Sequence, residues 1–285
     1  MPVPVPLRRP VWGGVARVLG MDLSEAQDPV TSYRSLDELF VRQLRLGART
    51  WPERHEVPGS PVDGVVGAFG RVQAGELLQA KGRRYTVAEL LDDAEQALRF
   101  DTGSYITLYL APRHYHRIHA PVSGRIEWAR HIPGRLLPVN RLAVERVGRL
   151  FPRNERLVAV VEPRAGRDPE DTAVGETDAG AAADTGGEWS VEHPGGGTGA
   201  VAVVAVGAFN VGQITADFDS ALATNRRRAR PATTVYDPPV AVDRGDALMA
   251  FHLGSTVVLL FERPLELEPG LDPGGDIRLG APLAI

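Results

Sequence analysis

Three groups of residues in this chain could do chemistry together, although they lie far apart in sequence: Gly254-Ser255, the histidines at 114, 116 and 119, and Asp63. Gly254-Ser255 opens the strongly apolar run 255–261. Glycine leaves a peptide carbonyl uncrowded and tolerates strained backbone. The hydroxyl of the serine that follows can attack that carbonyl if a base takes its proton. An N-to-O acyl shift would give an ester. β-Elimination would then free the upstream chain and leave a pyruvoyl group, an electrophilic carbonyl made from the protein itself, on the downstream one. The same dipeptide also suits an ordinary turn before a strand.

His114, His116 and His119 fall within six residues. Histidine is the natural base for such a step because its unperturbed pKa lies near neutrality. At strand spacing His114 and His116 share a face, and His-x-His is a common pair of metal ligands. No carboxylate ligand stands beside them and the chain has no cysteine, so no metal is expected; a packed core cluster is the plain alternative. Asp63 lies in Pro61-Val62-Asp63-Gly64. Its carboxylate could orient an imidazole, and Asp-Gly is equally a common hairpin turn. Residue types alone leave each of these alternatives open.

The elements that must position these groups can be read coarsely. Ser35-Leu36-Asp37-Glu38 is a capping-box pattern that predicts a helix to about Leu44, and Thr86-Val87-Ala88-Glu89 predicts another to about Leu98. β-Branched runs separated by Gly and Pro predict strands over 104–111, 124–130, 157–162, 200–209 and 255–263. No βαβ alternation and no internal repeat is present, so the expected class is α+β: an antiparallel β core, sandwich- or barrel-like, with peripheral N-terminal helices. The expected organisation is an N-terminal helical segment, 1–50, that could associate with membrane, and a β-rich catalytic domain, 51–285.

Composition narrows the class further. At 285 residues and 43% hydrophobic, the chain can bury a substantial core. No run of 18 apolar residues exists to span a bilayer and no secretory pattern opens the chain, so the expected location is the cytoplasmic side. The net charge of −4 hides an asymmetry. Residues 162–199 carry nine acidic residues and two arginines, a net of −7, which leaves the remainder at about +3. Rich in Gly, Ala, Asp and Thr, this segment is expected to be a disordered insert between two buried strands, Val158-Ala159-Val160-Val161 and Val201-Ala202-Val203-Val204. The first 21 residues place Val11, Trp12, Val15, Val18 and Leu19 among Arg8, Arg9 and Arg17, a short interfacial amphipathic pattern weakened by glycines. Packing of that face on the core accounts for it equally. Asn225-Arg226-Arg227-Arg228-Ala229-Arg230 could meet anionic head groups, or be a solvated loop. No aromatic-rich motif accompanies it, so no nucleic-acid partner is expected.

Several independent segments occur in a fixed order: Ser60-Pro61-Val62-Asp63-Gly64, Lys81-Gly82-Arg83-Arg84-Tyr85, Ala111-Pro112-Arg113-His114-Tyr115-His116-Arg117-Ile118-His119-Ala120-Pro121, Leu137-Pro138-Val139-Asn140, Leu150-Phe151-Pro152-Arg153-Asn154-Glu155-Arg156, Val206-Gly207-Ala208-Phe209-Asn210-Val211-Gly212 and Leu253-Gly254-Ser255-Thr256. In this order they resemble the phosphatidylserine decarboxylase family over about 36–261. The resemblance implies a self-processing proenzyme cut between Gly254 and Ser255 into a β chain, 1–254, and an α chain, 255–285, that remain associated. Asp63, His119 and Ser255 would form the processing triad. Ser255 would become the covalent pyruvoyl cofactor, the electron sink on which the substrate amine condenses, and no external cofactor would be needed. His116 would bind substrate or return the proton after CO2 leaves, converting phosphatidylserine to phosphatidylethanolamine. A peripheral membrane location and a homodimer are compatible with it. The chain departs from the family pattern at His114, where an acidic residue is usual, and before the cut at Ala247 and Met249, where glutamate and glycine are usual. Those departures keep two other readings in view: a non-catalytic lipid-binding relative, and a pyruvoyl decarboxylase of another amine.

Overall fold

The computed structural model describes residues 2–164, 197–209, 213–225, 230–252 and 255–285. The centre of the acidic insert, Leu253-Gly254, Asn210-Val211-Gly212 and residues 226–229 of the basic run lie outside them.

Helix α1 (Val5–Leu19) has proline in its first turn and ends at Gly20, which takes a left-handed φ of 70°. It buries Trp12 and Ala16 against Met21, Tyr33 and Leu39, a cluster apart from the main core, and Trp12 Nε1 donates to the Tyr33 carbonyl at 2.9 Å. Helix α2 (Leu36–Phe40) is capped by Ser35, which accepts from the Glu38 N–H, and buries Leu39 and Phe40. It stops short of Leu44 because residues 43–45 hydrogen-bond back to residues 25–27 instead: Gln27 N–H meets the Gln43 carbonyl at 2.8 Å and Arg45 N–H the Glu25 carbonyl at 2.9 Å. The second predicted helix forms with its capping box but breaks in two, α3 (Val87–Leu91) and α4 (Ala94–Arg99). Asp92 turns left-handed at the break, and Asp93 caps the second piece by accepting from Glu95 and Gln96. Two short helices, α5 (Arg141–Arg146) and α6 (Leu150–Arg153), follow.

The strands are β1 (Gly64–Arg71), β2 (Glu76–Ala80), β3 (Arg83–Thr86), β4 (Ser104–Tyr109), β5 (Arg117–His119), β6 (Gly124–Ile132), β7 (Arg156–Pro163), β8 (Val201–Val206), β9 (Ile214–Ala216), β10 (Ala232–Val242), β11 (Ala247–Phe251), β12 (Thr256–Phe261) and β13 (Asp276–Ile277). Eight make one sheet in the order β10-β6-β7-β8-β12-β4-β1-β13; β5, β11 and β9 make a second, and β2-β3 is a hairpin. Every strand pair is antiparallel, so the α+β class with an antiparallel core holds. The valine-rich runs that flank the insert, β7 and β8, pair from Arg156↔Val206 to Val161↔Val201. β8 and β12 are buried at every position, so both faces of the sheet centre are covered. That explains why these antiparallel strands read as continuous apolar runs rather than as alternation.

This topology fixes the place of the candidate site. β11 belongs to the three-stranded sheet, and β12 lies at the centre of the eight-stranded one. Residues 252–255 join the two sheets.

Candidate active site

Ser255 immediately precedes β12. Its carbonyl accepts from Leu110 N–H at 2.8 Å, at the end of β4, and this bond fixes its backbone. The residue is 0% exposed and its hydroxyl has no hydrogen-bond partner among the described residues. On the upstream side, Phe251 N–H donates to the His116 carbonyl at 2.9 Å and His252 N–H to the Gln213 carbonyl at 3.0 Å. The His252 ring is held between Asp37 Oδ1 at 2.6 Å and Thr215 Oγ1 at 3.3 Å. The chain is therefore tied on both sides of the Gly254-Ser255 bond, and the upstream tie runs directly to His116.

His116 enters the site from the turn before β5. It is fully buried, with both ring nitrogens lacking a hydrogen-bond partner among the described residues and the Phe40 ring packed edge-on to it, centroids 4.9 Å apart. Burial pushes its pKa down to about 3; the Arg42 guanidinium adds to the shift and the His114 backbone weakly opposes it. His116 is thus a neutral imidazole at physiological pH.

His119 lies on β5 opposite Ala247 of β11. Its Nδ1 is 2.6 Å from the Gly245 carbonyl and its Nε2 is 3.0 Å from the Tyr115 hydroxyl. A carbonyl can only accept, so Nδ1 carries the proton and Nε2 keeps its lone pair, with Tyr115 donating to it. Burial lowers the His119 pKa and the Gly245 carbonyl opposes the shift. Burial raises that of Tyr115, which keeps its proton. His119 is therefore a neutral base in the tautomer that general-base work at Nε2 requires.

The Asp63 carboxylate points elsewhere. Arg49 clasps it through Nε at 3.1 Å and Nη2 at 2.5 Å, and Leu279 N–H donates to Oδ1 at 2.8 Å. Arg49 also meets Glu25 at 2.8 Å. What joins this stretch to His119 is backbone: His119 N–H donates to the Pro61 carbonyl at 2.9 Å. The structure thus brings His119 beside the Asp63 turn, while the third position of the expected triad, the partner of Nδ1, is filled by the Gly245 carbonyl. His114 does local work, accepting the Ala111 N–H on Nδ1 at 2.9 Å. Its pKa is lowered by burial and by Arg113. Met249, the other departure, is buried on β11 opposite Ile118. Among the described residues, no group of three His, Asp or Glu side chains is placed to hold a metal.

Sequence reasoning missed Tyr115, Gly245, Arg42 and Arg49. Tyr115 carried a signal, since it stands within the histidine cluster. Gly245 acts through its main chain, which no residue type announces.

The family model described as phosphatidylserine decarboxylase matches residues 36–181 and 187–285. A phosphatidylserine decarboxylase proenzyme of Anaeromyxobacter sp. (strain K) is 43% identical over 282 residues, covering 98% of this chain and 88% of the relative. Proteins of the same description from Brevibacillus brevis and Myxococcus xanthus are 36% and 34% identical, over 93% and 100% of this chain and 83% and 90% of theirs.

Proposed function

The chain belongs to the phosphatidylserine decarboxylase family, and on that premise we propose that it is a proenzyme that cuts itself between Gly254 and Ser255 and then converts phosphatidylserine to phosphatidylethanolamine. The observation that carries this reading is the hydroxyl of Ser255, wholly buried and without a partner among the described residues. A structural serine would be hydrogen-bonded, because leaving a buried hydroxyl unpaired costs about 1–3 kcal/mol. An unpaired nucleophile in a fold that also holds His119 as a neutral base fits a residue meant to react, and fits residue 255 as the origin of a pyruvoyl group.

In the processing step His119 Nε2 takes the Ser255 hydroxyl proton as Oγ attacks the Gly254 carbonyl carbon. The Gly254–Ser255 C–N bond breaks, the amine takes the proton, and Gly254 becomes an ester on Oγ. Loss of the Ser255 Cα proton expels the Gly254 carboxylate. Water then replaces the nitrogen, giving ammonia and the new carbonyl. The Tyr115 hydroxyl occupies Nε2 beforehand, so it has to give way or carry the proton across. The Gly245 carbonyl holds the His119 tautomer throughout. Asp63, clasped by Arg49, takes part by fixing the turn whose Pro61 carbonyl anchors His119.

The pyruvoyl group supplies an electron-withdrawing carbonyl at position 255 that stabilises the electrons left behind as CO2 departs. His116 offers one N–H and one bare nitrogen from a buried neutral ring, so it can bind the substrate and relay a proton to the carbon that loses CO2, taking one up on one nitrogen as it gives one from the other. The surroundings of His116 keep water out, with Phe40 on its ring.

We further propose a peripheral location on the cytoplasmic face of the membrane. Helix α1 leaves Leu7, Val11 and Val18 exposed on one face, with Arg17 on its flank, a pattern suited to an interface that holds anionic lipid. Among the described residues no helix is long and apolar enough to cross a membrane.

The experiment is the intact mass of wild type beside Ser255→Ala, followed by a phosphatidylserine assay. Two wild-type fragments that meet between 254 and 255, a blocked smaller fragment, an uncut variant and lipid turnover in wild type only are expected. An uncut, inactive wild type, or an active Ser255→Ala, would refute the reading.

A further inference from the structure

Arg42 follows Phe40, whose ring packs on His116, and the Val41 carbonyl between them accepts from Arg117 Nη1 at 3.3 Å. Residues 40–42 are therefore pressed against residues 116–117. The Arg42 residue is only 4% exposed, yet its Nε has no partner, and its other bonds are long: Nη1 to the Leu39 carbonyl at 3.4 Å and Nη2 to the Asp22 carbonyl at 3.5 Å. Asp22 and Asp63 act on it only through space, with no ion pair formed.

Buried guanidinium groups are ordinarily paired or fully hydrogen-bonded. Two other arginines with buried side chains obey this. Arg49 clasps Asp63 with two bonds, and Arg156, also buried and without a carboxylate, spends its donors on the carbonyls of Leu90, Pro152, Asn154 and Glu89 at 2.6–2.8 Å. Among the described residues Arg42 keeps an unpaired buried Nε, as does the less buried Arg130 that pairs with Asp92, and of the two it is Arg42 that lies beside the histidine assigned to substrate. We propose that Arg42 binds the phosphodiester of the lipid head group and so seats the serine moiety against His116 and residue 255. This rests on the decarboxylase reading above.

The head group carries two anions, and the chemistry selects between them. Pairing the carboxylate with a buried cation would stabilise the charge that must leave as neutral CO2, and so would oppose the reaction. The phosphodiester keeps its charge from substrate to product. Its guanidinium contact is thus equally strong before, during and after the chemical step, a contribution to KM and not to kcat. The planar fork of arginine also matches two phosphate oxygens at once.

The test compares matured wild type, Arg42→Met and Arg42→Lys on short-chain phosphatidylserine in neutral micelles, with short-chain phosphatidylethanolamine as competitor. The competitor keeps the phosphodiester and lacks the carboxylate. In Arg42→Met we expect KM for phosphatidylserine and Ki for phosphatidylethanolamine to rise by the same factor, roughly 10- to 100-fold for loss of a charged hydrogen-bonded pair, with kcat nearly unchanged. Arg42→Lys should show a smaller common rise. A rise in KM with Ki unchanged would place the carboxylate on Arg42 and overturn the proposal; so would wild-type values for both, which would make Arg42 structural. Should Arg42→Met fail to mature, Arg42→Lys decides, and wild-type KM and Ki in that variant overturn the proposal. A wild type that neither matures nor turns over lipid would instead bring down the decarboxylase reading itself.

Discussion

Burying His116 as a neutral ring ties the stability of the precursor to pH. An unfolded histidine titrates near 6.5, whereas folded His116 is pushed down to about 3. Below pH 6.5 the unfolded chain binds a proton at this residue that the folded chain refuses, so acid favours unfolding. The contribution is complete above 6.5, is lost progressively as the pH falls, and bottoms out near 3. Between pH 7 and pH 5 it amounts to about 1.4 pKa units of unmatched protonation, or about 2 kcal/mol at 1.36 kcal/mol per unit. The perturbation is His116→Gln, made in the uncleavable Ser255→Ala chain so that maturation does not intrude. Urea unfolding at pH 7 and pH 5 measures it. The parent should lose about 2 kcal/mol more than the His116→Gln chain over that interval. His114 and His119, whose pKa values are also lowered, keep their shares in both proteins and cancel in the comparison. Equal losses in the two proteins would refute the reasoning, because His116 would then be free to charge inside the fold.

Three further outcomes follow from the same geometry. His119→Ala should slow self-cleavage by about 10²–10⁴, the usual worth of a positioned general base, whereas His116→Gln should cleave and then fail in turnover; gel densitometry beside a lipid assay separates the two, and matched losses in His116→Gln would end the division of labour. Asp63→Ala strips a largely buried arginine of its clasp and should cost about 3 kcal/mol by denaturation; lost maturation at unchanged stability would instead put the carboxylate on His119. Leu259→Ala, in the middle of the fully buried β12, should cost about 2–5 kcal/mol, seen as a lower urea midpoint, and a neutral result would mean that this strand is not core.

The strands that build the core were legible because covering the sheet on both faces writes itself into the sequence as unbroken valine, leucine and isoleucine. β10 was not, because Asp237-Pro238-Pro239 argues against a strand. It survives as an edge strand, with its register shifted between Val235 and Val240, where a proline leaves no ladder bond unmade. Helix lengths failed for tertiary reasons, as where the backbone of residues 43–45 prefers residues 25–27 to another helical turn. Ser255, His116 and His119 were legible by type and order. Their partners were not. Asp63 reads as a histidine's carboxylate, but a guanidinium 14 positions earlier is the better bidentate match, and pattern cannot rank such long-range choices. The departures at Ala247 and Met249 prove to be positions on the strand paired with His119's own strand, so they bear on how that base is held rather than on a remote surface.

The proposed cut would have to break a covalent link without losing the site that it creates, and its position meets that demand. β11 ends at Phe251 in one sheet and β12 begins at Thr256 in the other, so the proposed cut falls between the two strands and divides neither. The downstream piece begins at once with β12, paired along its whole length with β4 on one side and β8 on the other. Beyond it, Ala281 and Leu283 exchange main-chain bonds with Ser60 and Pro58, and β13 pairs with β1. The 31 residues downstream of the proposed cut are thus held by main-chain bonds that do not depend on the 254–255 peptide bond. The upstream end is tied separately, Phe251 to His116 and His252 to Asp37. On the proposed reading, residue 255 would change from serine to a reactive carbonyl while Leu110 N–H still holds its backbone carbonyl. On that reading one buried position would serve two reactions in turn, self-cleavage and decarboxylation.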